Sequence, residues 1–138
     1  MTAVQMDLET ARAASDRNPC FLSNEALSPY IKMSDCSQVS DGGAAMVVVS
    51  EEGLKKLGKR PEDAIEVMGL GVATGNLWVD DDETRMETTE AAARRAYAEA
   101  EVRADQIGVA EVHDCFSVTE LLMYEALGFC ELGDGKRP

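Results

Sequence analysis

The sequence predicts an α/β protein built on a largely parallel sheet. Three short apolar runs, at residues 44–49, 65–72 and 109–112, are rich in β-branched side chains and too short for buried helices. A helix-patterned stretch follows each of them, and strands alternating with helices at these lengths read as βαβ units. Since a parallel sheet must be covered on both faces, three strands with small flanking helices make a thin domain, and the chain reads as part of a larger fold.

The elements follow in chain order. Residues 2–17 are mostly helix-tolerant, with Val4, Leu8 and Ala11 near one face, and predict an exposed helical arm. Asn18-Pro19 ends the arm and Ser28-Pro29 interrupts the chain again, so residues 19–33 are expected to be irregular. Ala-Ala-Met-Val-Val-Val at 44–49, entered through Asp41-Gly42-Gly43, predicts a strand buried on both faces. Ser50 is placed as an N-cap, Glu51 and Glu52 lie in the first turn, Lys55 and Lys56 in the last, and Gly58 closes a short helix. Residues 59–63 read as a linker.

Ile65, Val67 and Leu70 alternate with Glu66 and Gly69 in a second strand continuing towards Val72, and residues 75–83 form a polar loop. Thr84-x-x-Glu87 has capping-box spacing ahead of a helix whose Ala92, Ala93, Ala96, Tyr97 and Ala100 share one face. Residues 109–112 form the third strand. Ser117-x-x-Glu120 is a second capping box, opening a helix through Val118, Leu121, Leu122 and Leu127 to Gly128.

Composition narrows the function classes. With 45% hydrophobic and 28% charged residues in 138, the chain is expected to fold and to bury roughly two-thirds of its unfolded surface. A net charge of −13 repels polyanions, which argues against a nucleic-acid partner and weakly against any phosphate-bearing ligand. Neither a signal peptide nor an apolar run long enough for a membrane span is visible, so a cytoplasmic protein is expected. Cys20, Cys36, Cys115 and Cys130 lack Cys-x-x-Cys spacing and are expected as thiols, and one histidine, His113, argues against a metal site.

Chemistry gathers in the turn between the third strand and the last helix. His113, Asp114, Cys115 and Phe116 fill it, at the carboxyl end of a strand and the amino end of a helix, where α/β folds place ligand sites and where a thiolate is favoured. Taken alone, the residues support two readings equally. Cys115 and His113 are either a reactive pair for acyl or proton transfer, or a small buried hydrophobe beside a hydrogen-bonded core histidine.

Glu111-Val112-His113-Asp114-Cys115-Phe116, followed by Thr119-Glu120-Leu121-Leu122-Met123-Tyr124-Glu125-Ala126-Leu127-Gly128, resembles the His-Asp-Cys-Phe loop and following helix of thiolases of the sterol-carrier-protein type, the acetyl-CoA acetyltransferase-like enzymes. Asp35-Cys36-Ser37-Gln38-Val39-Ser40-Asp41-Gly42-Gly43-Ala44-Ala45 resembles the segment closing the first half of that fold. The resemblance implies a layered αβαβα thiolase fold. It assigns residues 1–33 to a helical arm left from the loop domain, 34–58 to the end of the N-terminal half, 59–63 to a linker and 64–138 to the start of the C-terminal half.

The same resemblance implies a thiolase activity, Claisen condensation or thiolytic cleavage of 3-ketoacyl-CoA in lipid metabolism. His113 would help hold a thioester oxygen, Cys115 would be the acid/base at the α-carbon, and Ser37 and Phe116 would contact substrate, with Ser37 near the pantetheine. No tightly bound cofactor is implied, since the CoA thioester is the substrate. The family's Gly-His-Pro loop, C-terminal Cys-x-Gly loop and nucleophile loop find no match here, so a partial chain, inactive alone, is expected to associate as a homo-oligomer or with the remainder of a thiolase. Alternatives are a thiolase-like lyase, an acyl-CoA or lipid-binding protein, and a non-catalytic scaffold subunit.

Overall fold

Among the described residues, four short helices supply the regular structure. The computed structural model describes residues 7–20, 30–37, 39, 41–76, 78, 82 and 84–136. The helices are α1 (Leu8–Arg12), α2 (Glu51–Lys56), α3 (Glu87–Ala100) and α4 (Ser117–Ala126), with single 3₁₀ turns at Met33–Asp35, Pro61–Asp63 and Ala104–Gln106.

The three expected strands are a correction. Residues 41–50, 65–76 and 107–114 carry no helix or strand, and the described residues contain no β-ladder, only isolated bridges at Ser15–Asn18, Cys20–Lys32 and Cys36–Phe116. The layered αβαβα arrangement is therefore not formed by the described residues. A strand needs a neighbour to take its N–H and C=O groups and two covered faces to bury its side chains. None of the three runs supplies that for another. Their side chains accordingly lie in solvent: Val47, Ile65 and Val109 are 87%, 97% and 86% exposed.

Surface area quantifies the shortfall. The chain keeps 11445 Å² accessible, against roughly 7,000 Å² for a folded monomer of its mass and roughly 21,600 Å² unfolded. About half of the unfolded surface is buried, not the two-thirds expected of a domain this size.

Where packing does occur, small residues make it. In α3 the expected stripe faces inward: Ala93 is buried, Ala92, Ala96, Tyr97 and Ala100 are half-buried, and Arg94, Arg95, Ala98 and Glu99 face solvent. The 65–76 run lies against this stripe in the opposite direction, with Gly69 beside Ala96 and Ala100, Gly71 beside Ala92 and Ala96, and Gly75 beside Thr88. The glycines are inward and Met68, Leu70 and Val72 outward, so the face expected for Ile65 and Val67 is not a buried one. Leu70 N–H donates to Glu99 Oε2 at 2.9 Å, and Arg95 donates to the Val72 carbonyl. Tyr97 Oη then reaches the Leu127 carbonyl at 3.0 Å and ties α3 to the end of α4, where Ala126 is buried.

Helix termini follow the sequence in part. Ser50 caps α2 through Gly53 N–H at 3.2 Å, and Gly58, at φ 66°, closes it as expected. Both capping boxes are corrections. Met86 is the N-cap of α3, while the Thr84 hydroxyl donates to Asp82 Oδ1 at 2.6 Å and Arg85 pairs with Glu90 across the first turn. Phe116 is the N-cap of α4, leaving the Ser117 hydroxyl for another partner. At the other end of the chain, α1 is shorter than the arm expected over residues 2–17, and residues 1–6 lie outside the described residues. Asn18 stops the arm. Fully buried, its side-chain amide donates to the carbonyls of Thr10 and Ala11 and to Ser34 Oγ, and its oxygen accepts from Ser34 N–H at 3.0 Å.

Candidate functional site: the corner between residues 35–37 and 115–117

Cys115 sits in the bend between the extended 107–114 run and α4, as the sequence places it. Phe116 turns the chain into the helix with extended dihedrals, φ −136° and ψ 151°, which directs the Cys115 carbonyl outward from the helix. The thiol is half-buried and shares a 3.5 Å hydrogen bond with the Thr119 hydroxyl, one turn along α4. Phe116 is half-buried beside it.

The 34–37 segment closes this corner. Ser37 N–H donates to the Cys115 carbonyl at 2.9 Å, Cys36 forms an antiparallel bridge with Phe116, and Ser117 Oγ donates to Asp35 Oδ1 at 3.2 Å. Three consecutive residues thus bind three consecutive residues in antiparallel register. Ser37, Cys115 and Phe116, all expected at the site, are brought together. His113 is not held with them. It is exposed in the extended run, and the hydrogen bonds joining the two segments do not include its ring.

Charge is distributed unevenly around the corner. Asp35 accepts from Lys32 N–H at 2.8 Å and from Lys32 Nζ at 2.7 Å, with both side chains largely covered. Burial alone would raise the Asp35 pKa, but the Lys32 hydrogen bonds and charge, joined by the Ser117 hydroxyl, hold it below the ordinary carboxylate value. Burial and the Asp35 charge push the Cys36 thiol up, which suits the packing role of a buried cysteine and not that of a nucleophile. Further along α4, the Tyr124 hydroxyl donates to Glu120, which raises the tyrosine's pKa together with burial and the charges of Glu120 and Asp114. Glu120 is engaged there and does not reach back to cap the helix.

Sequence reasoning missed Asp35, Lys32 and Ser117 as members of this corner. Asp35 and Ser117 stand 82 residues apart, and no local spacing links them. Nor does the corner coincide with the groove beside α3 and α4. That groove, about 550 Å³, lies between α3, α4 and the 127–132 turn, and no residue of the 113–117 turn lines it. No disulfide joins the four cysteines, and no described helix is long and apolar enough to cross a membrane.

Comparison with known proteins bears on what such a corner is for. Residues 69–138 match the family described as Thiolase C-terminal domain-like. Over 119 residues the chain is 35% identical to Sterol carrier protein 2 of Oryctolagus cuniculus, covering 83% of this chain and 22% of that protein. It is 38% identical over 107 residues to Benzoylsuccinyl-CoA thiolase subunit BbsB of Thauera aromatica, covering 76% and 27% of the two chains. To Acetyl-CoA acetyltransferase of Methanothermobacter thermautotrophicus it is 36% identical over 109 residues, covering 78% and 28%. The chain spans about a quarter of the length of the curated relatives it matches.

Proposed function

We propose that this chain, which belongs to the thiolase family through its thiolase C-terminal domain-like region, carries the His-Asp-Cys-Phe part of an acyl-CoA thiolase site and acts only with the remainder of such a fold. The observation that supports this most directly is the 2.9 Å hydrogen bond from Ser37 N–H to the Cys115 carbonyl, which holds the two thiolase-like motifs against each other. In this reading the boundaries at residues 33, 58 and 63 separate the loop-domain remnant, the two halves and their linker. The three extended runs become strands of the layered fold once neighbours flank them.

The chemistry assigned to the corner is proton transfer at carbon. As a thiolate, Cys115 takes the α-proton of an acyl-CoA, and the enolate so formed attacks an acyl group carried on the nucleophile loop of the complete site, breaking the acyl–enzyme bond and releasing the nucleophile. In the cleavage direction the Cys115 thiol returns that proton to the departing α-carbon. His113 supports a thioester oxygen as negative charge develops there, and its exposed position is completed by the rest of the fold. Ser37 and Phe116 flank the pantetheine and acyl portions of the substrate, and no tightly bound cofactor is required.

The test is a chimera in which this chain replaces its counterpart in the Methanothermobacter acetyl-CoA acetyltransferase. Acetoacetyl-CoA thiolysis is expected from the chimera and not from the purified chain, because catalytic groups that act as a unit fail together when one is lacking. Cys115→Ala in the chimera should lower turnover by about a hundredfold or more while acylation of the nucleophile persists. Near-normal turnover of Cys115→Ala would defeat the assignment.

A second reading draws on the relative named Sterol carrier protein 2. In it the corner binds an acyl-CoA or lipid without condensing it. Ligand binding unaffected by Cys115→Ala, in a chimera without turnover, would favour that reading.

A further inference from the structure

We propose that Asp35 is a positioning residue for the Cys115 turn, latching the 34–37 segment onto the first residue of α4 and so limiting how far the Cys115 thiol departs from its place beside Thr119. The inference rests on Cys115 being the reacting thiol for its functional meaning, but the latch itself is a matter of geometry.

The Cys36–Phe116 bridge is backbone pairing, the Ser37–Cys115 hydrogen bond being one of the bonds that define it, and it is available to almost any side chains. The other cross-link depends on residue identity at both ends, the Ser117 hydroxyl on Asp35 Oδ1. Asp35 is held for this task from behind, since its other oxygen is fixed by the Lys32 amide at 2.8 Å and ammonium at 2.7 Å. With side chains only 13% and 20% exposed, Lys32 and Asp35 are shielded from the solvent competition that weakens surface pairs.

Ser117 gives a matching signal. As the first helical residue it would ordinarily leave its hydroxyl to solvent or spend it locally on its own helix. Here Phe116 is the N-cap, and the hydroxyl crosses to the other segment instead. Cys115 carries the Ser37 attachment on its own carbonyl and stands two residues before the Ser117 one, so loosening the side-chain attachment frees the bend that carries the thiol. Cys36, next to Asp35, is buried under this bend and anchors the segment from the core side.

The experiment is iodoacetamide alkylation of the full chain at fixed pH, read cysteine by cysteine by mass spectrometry. Ser117→Ala and Asp35→Ala should each speed alkylation of Cys115 by roughly three- to tenfold, the range for losing one hydrogen bond that opposes local opening. Asp35→Asn, whose amide oxygen still accepts from Ser117, should stay within about twofold of the parent, and that rescue separates the latch from a general effect of charge. The Asp35→Ala/Ser117→Ala pair should be no faster than the faster single variant, since both remove the same contact. Cys130, beyond the far end of α4, serves as the reference and should be unmoved. If Asp35→Ala unfolds the chain, Cys130 will speed up in parallel. Ser117→Ala then carries the test, because it removes one hydroxyl from an exposed helical position.

An unchanged Cys115 rate in Ser117→Ala, or fully additive effects in the pair, overturns the proposal. No CoA substrate enters the measurement. Failure of the latch is thereby told apart from failure of the thiolase reading, which the chimera decides.

Discussion

At the scale of single residues, Asn18 and Asp35 do the most to join distant parts of the chain. Asn18 spends its amide on the Thr10 and Ala11 carbonyls and on Ser34 Oγ, and its oxygen on Ser34 N–H, all within a site with no exposure. Replacing it by alanine takes a partner from the part-buried Ser34 N–H and Thr10 carbonyl, while the Ala11 carbonyl keeps Ser34 Oγ, so Asn18→Ala should destabilise the arm by roughly 1 to 2 kcal/mol. Hydrogen exchange at the Ser34 amide is the direct readout. Protection there equal to that of the parent would show that the knot contributes nothing.

Asp35 makes the corner sensitive to acid. Its folded pKa lies below the ordinary aspartate value of 3.8, so the stability it contributes is present above 3.8 and is lost as pH falls through the lowered folded value. Hydrogen exchange at the Lys32 amide, which donates to Asp35 Oδ2, should therefore accelerate in the parent below about pH 4, and much less in Asp35→Asn, which has no proton to gain there. Equal acceleration in both would place the acid response elsewhere.

At the scale of elements, the decisive contact is the 65–76 run against α3. A Cβ at Gly71 would fall inside the Ala92 carbonyl oxygen, and one at Gly69 would lie 3.0 Å from the Ala100 nitrogen, with helix backbone as the obstacle in both cases. Helix backbone cannot step aside as a flexible side chain can. Gly71→Ala should therefore cost roughly 2 to 3 kcal/mol and detach the run from the helix, as overpacking of a close contact does. Urea unfolding followed by helical circular dichroism measures it, with Gly42→Ala as the control because a Cβ there meets nothing within 4 Å. Indistinguishable midpoints for the two variants would mean that the close approach is not a stabilising contact.

For the whole molecule, the dominant fact is apolar surface left in water. Met46, Val47, Ile65, Val67, Leu70 and Val109 are each 71% exposed or more, on segments that form no β-ladder among the described residues. Such a chain should self-associate, and analytical sedimentation should find dimers or larger species that bind hydrophobic dyes. Val47→Lys with Val67→Lys should shift it towards monomer while helix content stays unchanged, because neither side chain is packed. A parent that sediments strictly as a monomer would show that these segments are already satisfied.

The sequence by itself determined what depends on near neighbours or on side-chain identity. The Ser50 cap, the Gly58 stop, the inward alanine stripe of α3 and the turn carrying Cys115 were all legible, since each rests on contacts within a few residues. The two thiolase-like motifs and the family they indicate were legible for the same reason. Tertiary structure decided the rest. It took Ser117 away from its expected capping role, because a hydroxyl bonds whichever acceptor the fold brings nearest, and that acceptor is Asp35 from the other side of the corner. It turned Gly69 and Gly71 inward, since only their lack of a side chain lets the run approach α3 so closely. It also left residues 44–49, 65–72 and 109–112 without a partner strand among the described residues. Hydrophobic pattern prescribes that a strand be buried, but only a neighbouring strand at hydrogen-bonding distance can make it one.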